Sequence, residues 1–313
     1  MSKITQALEK AARERLQRQQ QAVVSAKPFS VPITPVAGLG TVASAGRIQI
    51  DPHIIAAADS KSPIAEQYRI LRTNLQSLRM RPGTKTIVVT SAVHDEGKSV
   101  TAVNLALTLA RQENLRVVLV DADLRKGSIR KWLGLAQNTE GLSTALQHGG
   151  ELNGSLFRLA EPPLTVLPSG PHPEHPAELL ESSNMRRLLA TLKTQFDMII
   201  IDAPPVLPVA DPGILAAQAD GVLLVVKAGS TQRRVVLQAQ ALLKQMKANV
   251  LGCVLTHMEY YLPGYYRYYQ QYRYEQKNQE NGASGTDASR AGAKVASPPE
   301  TNAHGDGASA ATA

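Results

Sequence analysis

The sequence predicts an α/β fold with a mostly parallel sheet and helices on both faces. Short runs of β-branched and aliphatic residues alternate along the middle of the chain with longer segments of helical periodicity. These runs are apolar throughout, which is typical of parallel strands that are covered on both faces. Because ligands of such sheets bind at the carboxyl ends of the strands, we expect the functional residues just after the strands.

The predicted elements follow one another from Ser62 to Met258. A helical pattern over residues 62–79 has Pro63 in its first turn, where proline is tolerated. The predicted strands are residues 86–92, 116–123, 164–170, 197–205, 221–229 and 249–258. Helical patterns follow the first of these strands and also cover residues 177–195 and about 231–248.

The two ends of the chain lack the pattern of a folded domain and are expected to be flexible. Residues 2–22 suit a polar helix, whereas residues 23–50 are rich in Val, Ala, Pro and Gly, which indicates a linker. After Glu275 the chain has no aromatic residue and too little apolar surface for folding. The predicted organisation is an N-terminal helix and linker (1–50), a folded domain (51–258), a tyrosine cluster (259–275) and a disordered tail (276–313).

The composition indicates a cytoplasmic protein with a basic N-terminal segment. Of the 313 residues, 43% are hydrophobic, which is enough for one sizeable core. The net charge is +8, and the residues before Asp51 include seven Lys or Arg against two Glu, a bias that suits an anionic membrane face or nucleic acid. No run approaches the roughly 18–20 apolar residues that cross a bilayer, and the start does not resemble a signal peptide. The single cysteine, Cys253, excludes a disulfide framework and is expected to be an inert core residue.

A phosphate-binding loop is predicted between the first strand and the helix that follows it. Residues 92–99 read AVHDEGKS, which fits the P-loop pattern with alanine in place of the first glycine. Gly97 lets the backbone turn so that amide groups and a helix N-terminus face an anion. Lys98 is expected to reach the β- and γ-phosphates, and Ser99 to supply a hydroxyl to Mg²⁺. The predicted nucleotide-binding residues are Glu96, Gly97, Lys98, Ser99 and Val100, together with Arg125.

Carboxylates follow two other predicted strands. VVLVDADLR places Asp121 and Asp123 after one strand, and MIIIDAPP places Asp202 at the end of another. An aspartate at one strand end often only caps the next turn, but three in phase with a phosphate loop indicate nucleotide binding. The predicted catalytic residues are Lys98, Asp121, Asp123 and Asp202, and the predicted metal-binding residues are Ser99, Asp123 and Asp202.

These motifs together resemble the Walker A, A′ and B motifs of bacterial tyrosine kinases, the P-loop kinases of exopolysaccharide and capsule production that are related to the MinD/ParA ATPases. The resemblance covers about residues 51–274 and includes LPSGPHPEHPAELLESSNM, which follows a family segment. EQYRILR gives Glu66, Arg69 and Arg72 in the family's Glu-x-x-Arg-x-x-Arg pattern, on a helix that builds an oligomeric ring in the family. The resemblance implies a P-loop tyrosine kinase domain that uses ATP and Mg²⁺, with Asp121 as the candidate base; Asp121 and Asp123 could exchange roles.

Eight of the nine tyrosines are concentrated in a short segment near the end of the chain, which matches the family's autophosphorylation site. A tyrosine hydroxyl, with a pKa near 10, needs a positioned carboxylate to attack a phosphate at neutral pH. Without the phosphate loop, the cluster would suit an aromatic tail that stacks on nucleic acid. The predicted phosphoacceptors are Tyr260, Tyr261, Tyr265, Tyr266, Tyr268, Tyr269, Tyr272 and Tyr274.

The resemblance implies an autokinase that phosphorylates a neighbouring subunit and regulates exopolysaccharide or capsule synthesis and export. It also implies a ring-shaped homo-oligomer, a separate transmembrane activator of the polysaccharide co-polymerase type that holds the kinase at the inner membrane face, and a tyrosine phosphatase; no nucleic-acid partner is expected.

Two alternatives to an autokinase stay open. A positioning ATPase of the MinD/ParA type is disfavoured by Val93, which stands where that group has a signature lysine. A pseudo-kinase scaffold is suggested by His94-Asp95, where the family has Pro-Gly.

Relatives often carry an asparagine for adenine in the last strand, where this chain offers Thr256.

Overall fold

The computed structural model describes residues 29–34, 46–58, 62–77, 86–136, 139–152 and 154–258, which belong to one compact unit. The predicted N-terminal helix, the tyrosine cluster and the tail lie outside the described residues. The fold of the described part is set by its sheet, which also positions the candidate site.

The sheet has nine strands in the described part of the chain. They are β1 (Phe29–Thr34), β2 (Gly46–Ile50), β3 (Thr86–Ser91), β4 (Val117–Asp121), β5 (Phe157–Leu159), β6 (Leu164–Leu167), β7 (Met198–Asp202), β8 (Gly221–Lys227) and β9 (Val250–Thr256). Their order is β2-β1-β5-β6-β4-β7-β3-β8-β9. The six strands that the sequence predicts, from β6 to β9 in this order, are all parallel, which confirms the predicted fold class. Their carboxyl ends therefore lie at one edge.

Helices cover both faces of this sheet. They are α1 (Ile55–Ala58), α2 (Pro63–Ser77), α3 (Lys98–Ala110), α4 (Ile129–Trp132), α5 (Leu142–Gln147), α6 (Pro176–Glu181), α7 (Ser183–Gln195), α8 (Asp211–Ala216) and α9 (Arg233–Gln245). Successive side chains of a strand point to opposite faces. Accordingly, Ile87 and Val89 of β3 pack in one hydrophobic cluster with α3, whereas Val88 packs in a second cluster with α7 and α9.

An antiparallel hairpin replaces part of the segment, residues 23–50, that the sequence analysis interpreted as a linker. Strand β1 pairs antiparallel with both β2 and β5, and β5 pairs antiparallel with β6. Val31 and Ile50 are each only 1% exposed and join the core. The composition of the whole segment concealed the short alternation RIQI (47–50), whose isoleucines are buried and whose polar residues are exposed.

Two smaller expectations also differ from the structure. The single helix predicted over residues 177–195 is divided into α6 and α7, because Ser182 has an extended backbone and its hydroxyl accepts a hydrogen bond from Met185 N at 3.2 Å. Cys253 is exposed, because β9 is the last strand at one side of the described sheet. The expectation of a core cysteine was therefore wrong.

Candidate active site

The phosphate loop joins β3 to α3 with the backbone of an anion-binding turn. Gly97 has φ +89°, a left-handed conformation that is costly for residues with a side chain. Asp95 has φ +60°, which aspartate tolerates better than most residues. The aspartate that stands where the family has glycine therefore keeps the conformation that glycine favours.

The Glu96 side chain braces the loop from inside the protein. Glu96 is 1% exposed, and its carboxylate accepts hydrogen bonds from Val93 N at 2.9 Å, from Lys227 N at 3.3 Å and from the Thr231 hydroxyl. These donors belong to the loop itself and to the end of β8 and the turn after it. The Glu96 side chain is thus engaged inside the protein, and a contact of Glu96 with a nucleotide stays a prediction.

Lys98 lies at the point where the strand-end carboxylates converge. Its Nζ is 2.7 Å from Asp123 Oδ2, 3.4 Å from Asp202 Oδ1 and 3.2 Å from Ser99 Oγ. Burial opposes the charge of this lysine, but the attraction of Asp202 and Asp123 outweighs burial and raises the pKa of Lys98. The lysine is therefore charged at neutral pH, and the structure brings together the predicted residues of all three motifs.

The three carboxyl groups are almost completely buried, and when ionised they carry more negative charge than Lys98 can balance. Asp121 and Asp202 have no exposed surface, and Asp123 is 2% exposed. Burial, with the nearby charge of Asp202, raises the pKa of Asp121 well above its usual range. Burial also raises the pKa of Asp202, against the opposing effect of Lys98 and Ser99. An additional cation would stabilise the ionised form of this cluster.

The carboxylates differ in their hydrogen bonds. Asp121 accepts from Asp123 N at 3.2 Å and from Ile129 N at 3.0 Å, so both of its oxygens hold the backbone after β4. Asp123 accepts from Lys126 N at 3.1 Å with the oxygen that does not face Lys98. Within the described residues, Asp202 Oδ2 is buried and has no hydrogen-bond partner.

The residues predicted to bind metal fit a magnesium ion that is shared with a nucleotide. Among the described residues, no group of three or more His, Cys, Asp and Glu side chains could hold a metal ion by itself. Mg²⁺ is usually bound through one or two carboxylates together with substrate phosphates, and a P-loop Ser or Thr hydroxyl joins them. Ser99, Asp123 and the unpartnered Asp202 oxygen offer that set of oxygen donors.

Thr256 supports the phosphate loop from the end of β9. Its hydroxyl donates to the carbonyl oxygen of Glu96 at 2.8 Å, and a Cβ at Gly97 would lie 3.4 Å from its methyl group. The residue that the sequence analysis considered for adenine is therefore engaged with the loop backbone.

Two ion pairs surround the loop that follows β4. Arg125, a predicted nucleotide contact, makes two hydrogen bonds of 2.8 and 2.9 Å to Asp211, which is fully buried at the start of α8. Lys126 pairs with Asp95 at 3.3 Å, and both side chains are mostly exposed. The first pair ties the β4 loop to α8, and the second ties it to the phosphate loop.

Ser128 is a site residue that sequence reasoning missed. Its Oγ lies 2.8 Å from Ser99 Oγ, although the two serines are 29 positions apart in the chain. No sequence motif marks this contact, because it depends on the path of the backbone between β4 and α4.

The predicted oligomer-interface residues lie on α2. Glu66 pairs with Arg69 on the same helix, and each side chain is about one-third exposed. Arg72 contacts α3, where its Nη1 donates to Thr108 O at 3.4 Å. Their role between subunits stays a prediction, as does that of the tyrosine cluster, which lies outside the described residues.

None of the helices in the described ranges combines the length and the apolar character that are needed to cross a membrane.

Comparisons with known proteins agree with the motifs. A family model described as an AAA domain matches residues 84–250. Tyrosine-protein kinase YwqD of Bacillus subtilis is 39% identical over 220 residues, which are 68% of this chain and 91% of the relative. Tyrosine-protein kinase CpsD of Streptococcus agalactiae is 34% identical over 190 residues, 61% of this chain and 82% of the relative. The solved kinase domain of Escherichia coli tyrosine kinase ETK is 30% identical, with a TM-score of 0.61, and the match covers 64% of this chain and 78% of that domain. With a site of this geometry and a match that spans nearly all of YwqD, the chain belongs to the family of bacterial tyrosine-protein kinases.

Proposed function

We propose that this protein is an ATP-dependent tyrosine autokinase that transfers the γ-phosphate to the tyrosine cluster of a neighbouring subunit. The observation that carries the proposal is the convergence of Lys98 with Asp123 and Asp202 at the edge of the sheet where the phosphate loop begins. Protein-tyrosine kinase activity accords with the family of the chain, and the cluster supplies eight phenols in the same polypeptide.

The site residues have distinct roles in this reaction. Lys98 and the amides at the start of α3 bind the phosphates. Ser99, Asp123 and Asp202 would hold Mg²⁺, whose positive charge would stabilise the negative charge that develops on the phosphate oxygens. The tyrosine oxygen attacks the γ-phosphorus, the bond to the oxygen that bridges to the β-phosphorus breaks, and ADP leaves. The tyrosine proton passes to a carboxylate. Asp121 is the candidate acceptor that the resemblance of the motif implies, and Asp123, two residues further along the same loop, is the alternative.

Intact-mass spectrometry tests this proposal. The full chain is treated with phosphatase, freed of that enzyme and incubated with ATP and Mg²⁺. We expect a ladder of phosphoryl additions that map to residues 260–274. The additions should be lost in Lys98→Met and in a variant with all eight cluster tyrosines changed to Phe, but kept in Lys244→Met, which removes an exposed lysine far along the chain.

The same experiment separates the alternatives. Release of free phosphate without labelling of the protein would overturn the autokinase and favour a positioning ATPase. Neither release nor labelling, even with the membrane activator present, would favour a scaffold without kinase activity. Labelling of residues other than the cluster tyrosines would overturn the assignment of the acceptors.

The cellular role that we propose is control of exopolysaccharide or capsule synthesis and export. The support is the family resemblance of the motifs. In this role the kinase acts in the cytoplasm at the inner membrane face, where a separate transmembrane activator of the polysaccharide co-polymerase type binds it. A tyrosine phosphatase removes the phosphates that the kinase has added. Co-expression with such an activator should increase labelling of the wild type and have no effect on Lys98→Met.

A further inference from the structure

Ser128 lies at a helix N-terminus, but its hydroxyl does not cap the helix. It directly precedes α4 and makes no side-chain capping hydrogen bond. Its backbone, with φ −90° and ψ −19°, is helical, whereas capping residues are usually extended. A backbone N–H of the first turn, that of Ile129, is held by Asp121 Oδ2 at 3.0 Å. Asp121 thus fixes the start of this helix in place of the serine.

The Ser128 hydroxyl instead contacts the hydroxyl of Ser99 at 2.8 Å. Ser99 is 7% exposed, and its oxygen also accepts from Lys98 Nζ at 3.2 Å. A hydroxyl has one donor and two acceptor positions. The Ser99 proton is directed to Asp202, whose pKa this hydrogen bond lowers, so Ser128 is the donor to Ser99. The contact can therefore persist when the Ser99 oxygen gives a lone pair to a different partner.

We propose that Ser128 is a positioning residue that holds the Ser99 hydroxyl in the orientation needed to bind the divalent cation of the bound nucleotide. The inference rests on the proposed function, which assigns Ser99 to Mg²⁺. Partners in the outer shell of a metal site fix its ligands, and their removal typically lowers metal affinity by about 10- to 100-fold. Because Ser128 does not cap α4, its substitution should affect this orientation more than the fold.

Nucleotide binding with and without metal tests the inference. The dissociation constant of a fluorescent ADP is measured on the full, phosphatase-treated chain in Mg²⁺ and in EDTA, so that no phosphoryl transfer is needed. The variants are Ser128→Ala, Ser128→Thr, which keeps the hydroxyl, and Ser182→Ala, which removes a serine that does cap its helix.

We expect Ser128→Ala to reduce the affinity gained from Mg²⁺ by about tenfold, the low end of the range for outer-shell partners, and to leave the affinity in EDTA unchanged. Ser128→Thr should retain the gain. Ser182→Ala should lower the unfolding temperature and leave the gain intact. The inference is overturned if Ser128→Ala binds as the wild type does, if it loses affinity equally in Mg²⁺ and EDTA, or if the wild type gains nothing from Mg²⁺.

The outcomes for the proposed function and for Ser128 are separable. If the wild type binds nucleotide more tightly in Mg²⁺ but never phosphorylates its tyrosines, the proposed autokinase is wrong, and the comparison with Ser128→Ala still tests the role of Ser128. If the wild type phosphorylates its tyrosines and Ser128→Ala keeps the full gain in affinity from Mg²⁺, only the inference about Ser128 is wrong.

Discussion

At the scale of single residues, the centre of the site places one charged lysine against three buried carboxyl groups. Such an arrangement is unfavourable in the empty protein, because each carboxylate loses its hydration and the carboxylates repel one another. The raised pKa values of Asp121 and Asp202 express this cost. The same negative charge favours the binding of a divalent cation, so the carboxylates that destabilise the empty protein are the groups that would hold the cation.

This conflict predicts that Asp202→Asn stabilises the protein when nucleotide and Mg²⁺ are absent. The fold raises the pKa of Asp202 above its ordinary value of 3.8, so the folded state binds more protons than the unfolded state in the window above that value. The contribution of Asp202 to stability is therefore lost as the pH rises through its raised pKa. An amide does not titrate, so the gain in unfolding temperature should grow from acidic to neutral pH.

Thermal unfolding across that pH range measures the effect, with Gln49→Ala as the control. Gln49 is exposed on β2 and has no titratable group, so its substitution should give the same difference from the wild type at each pH. A gain from Asp202→Asn that is largest in acid would contradict the prediction.

A second residue-scale prediction concerns Asp95 itself. Asp95→Gly and Asp95→Asn both remove a negative charge from the phosphate loop, so both should tighten nucleotide binding, and the gain should fade at high salt because the charge is exposed. Only Asp95→Gly also removes the side chain from this left-handed backbone. A left-handed conformation is unfavourable by roughly 1–2 kcal/mol for most residues with a side chain and by less for aspartate. Titration calorimetry at two salt concentrations checks the affinity, and unchanged or weaker binding in both variants would count against a repulsive role.

At the scale of elements, the strands that lead to the candidate site and the strands at the side of the sheet differ in how well their sequences predict them. The six parallel strands are continuous apolar runs with acidic or turn residues at their ends, so they were predicted closely. In β2 and β5, which are only five and three residues long, buried residues alternate with exposed ones, and this alternation is lost in segments of mixed composition.

The site shows the same division between local and long-range information. The motif residues Lys98, Asp123 and Asp202 follow strands of known direction, so their convergence at one edge was predictable. The contact of Ser128 with Ser99 and the inward direction of Glu96 could not be predicted, because each depends on where a turn places a side chain relative to a distant element.

The hairpin carries a prediction at this scale. If β1 and β2 are part of the core, Ile50→Ala should lower the free energy of unfolding by about 2–5 kcal/mol, as buried isoleucine-to-alanine changes do. Gln49→Ala, on the exposed side of the same strand, should change it by less than about 0.5 kcal/mol. Urea unfolding measures both, and equal small effects would restore the interpretation of this segment as a linker.

At the scale of the whole molecule, the candidate interface on α2 predicts an assembly that can be weakened without unfolding the subunit. A double change of Glu66 and Arg69 to Ala should shift the phosphatase-treated protein to smaller species in light scattering. An ion pair between residues three positions apart on a helix contributes only about 0.2–0.5 kcal/mol to stability, so the unfolding temperature should change little. The control removes another ion pair, Arg116 with Asp197, and should keep the assembly.

Phosphorylation should act on the same assembly. Each phosphate adds about −1.5 to −2 charges, so several of them make the tyrosine segment strongly acidic. We expect the fully phosphorylated protein to be smaller in solution than the variant whose cluster tyrosines are changed to Phe. If the two proteins have equal sizes, repulsion between the phosphorylated tyrosine segments of neighbouring subunits does not break the assembly.

The strand order places the start of β1 and the end of β9 at opposite corners of the described sheet. Strand β1 is antiparallel to β5, which is antiparallel to β6, so β1 runs in the same direction as the central strands and starts on the side away from the phosphate loop. Seven strand spacings, about 34 Å in all, separate β1 from β9, whose last residue touches that loop. A bulky group attached directly before Phe29 would therefore lie away from the candidate site, whereas one attached directly after Thr256 would lie beside it.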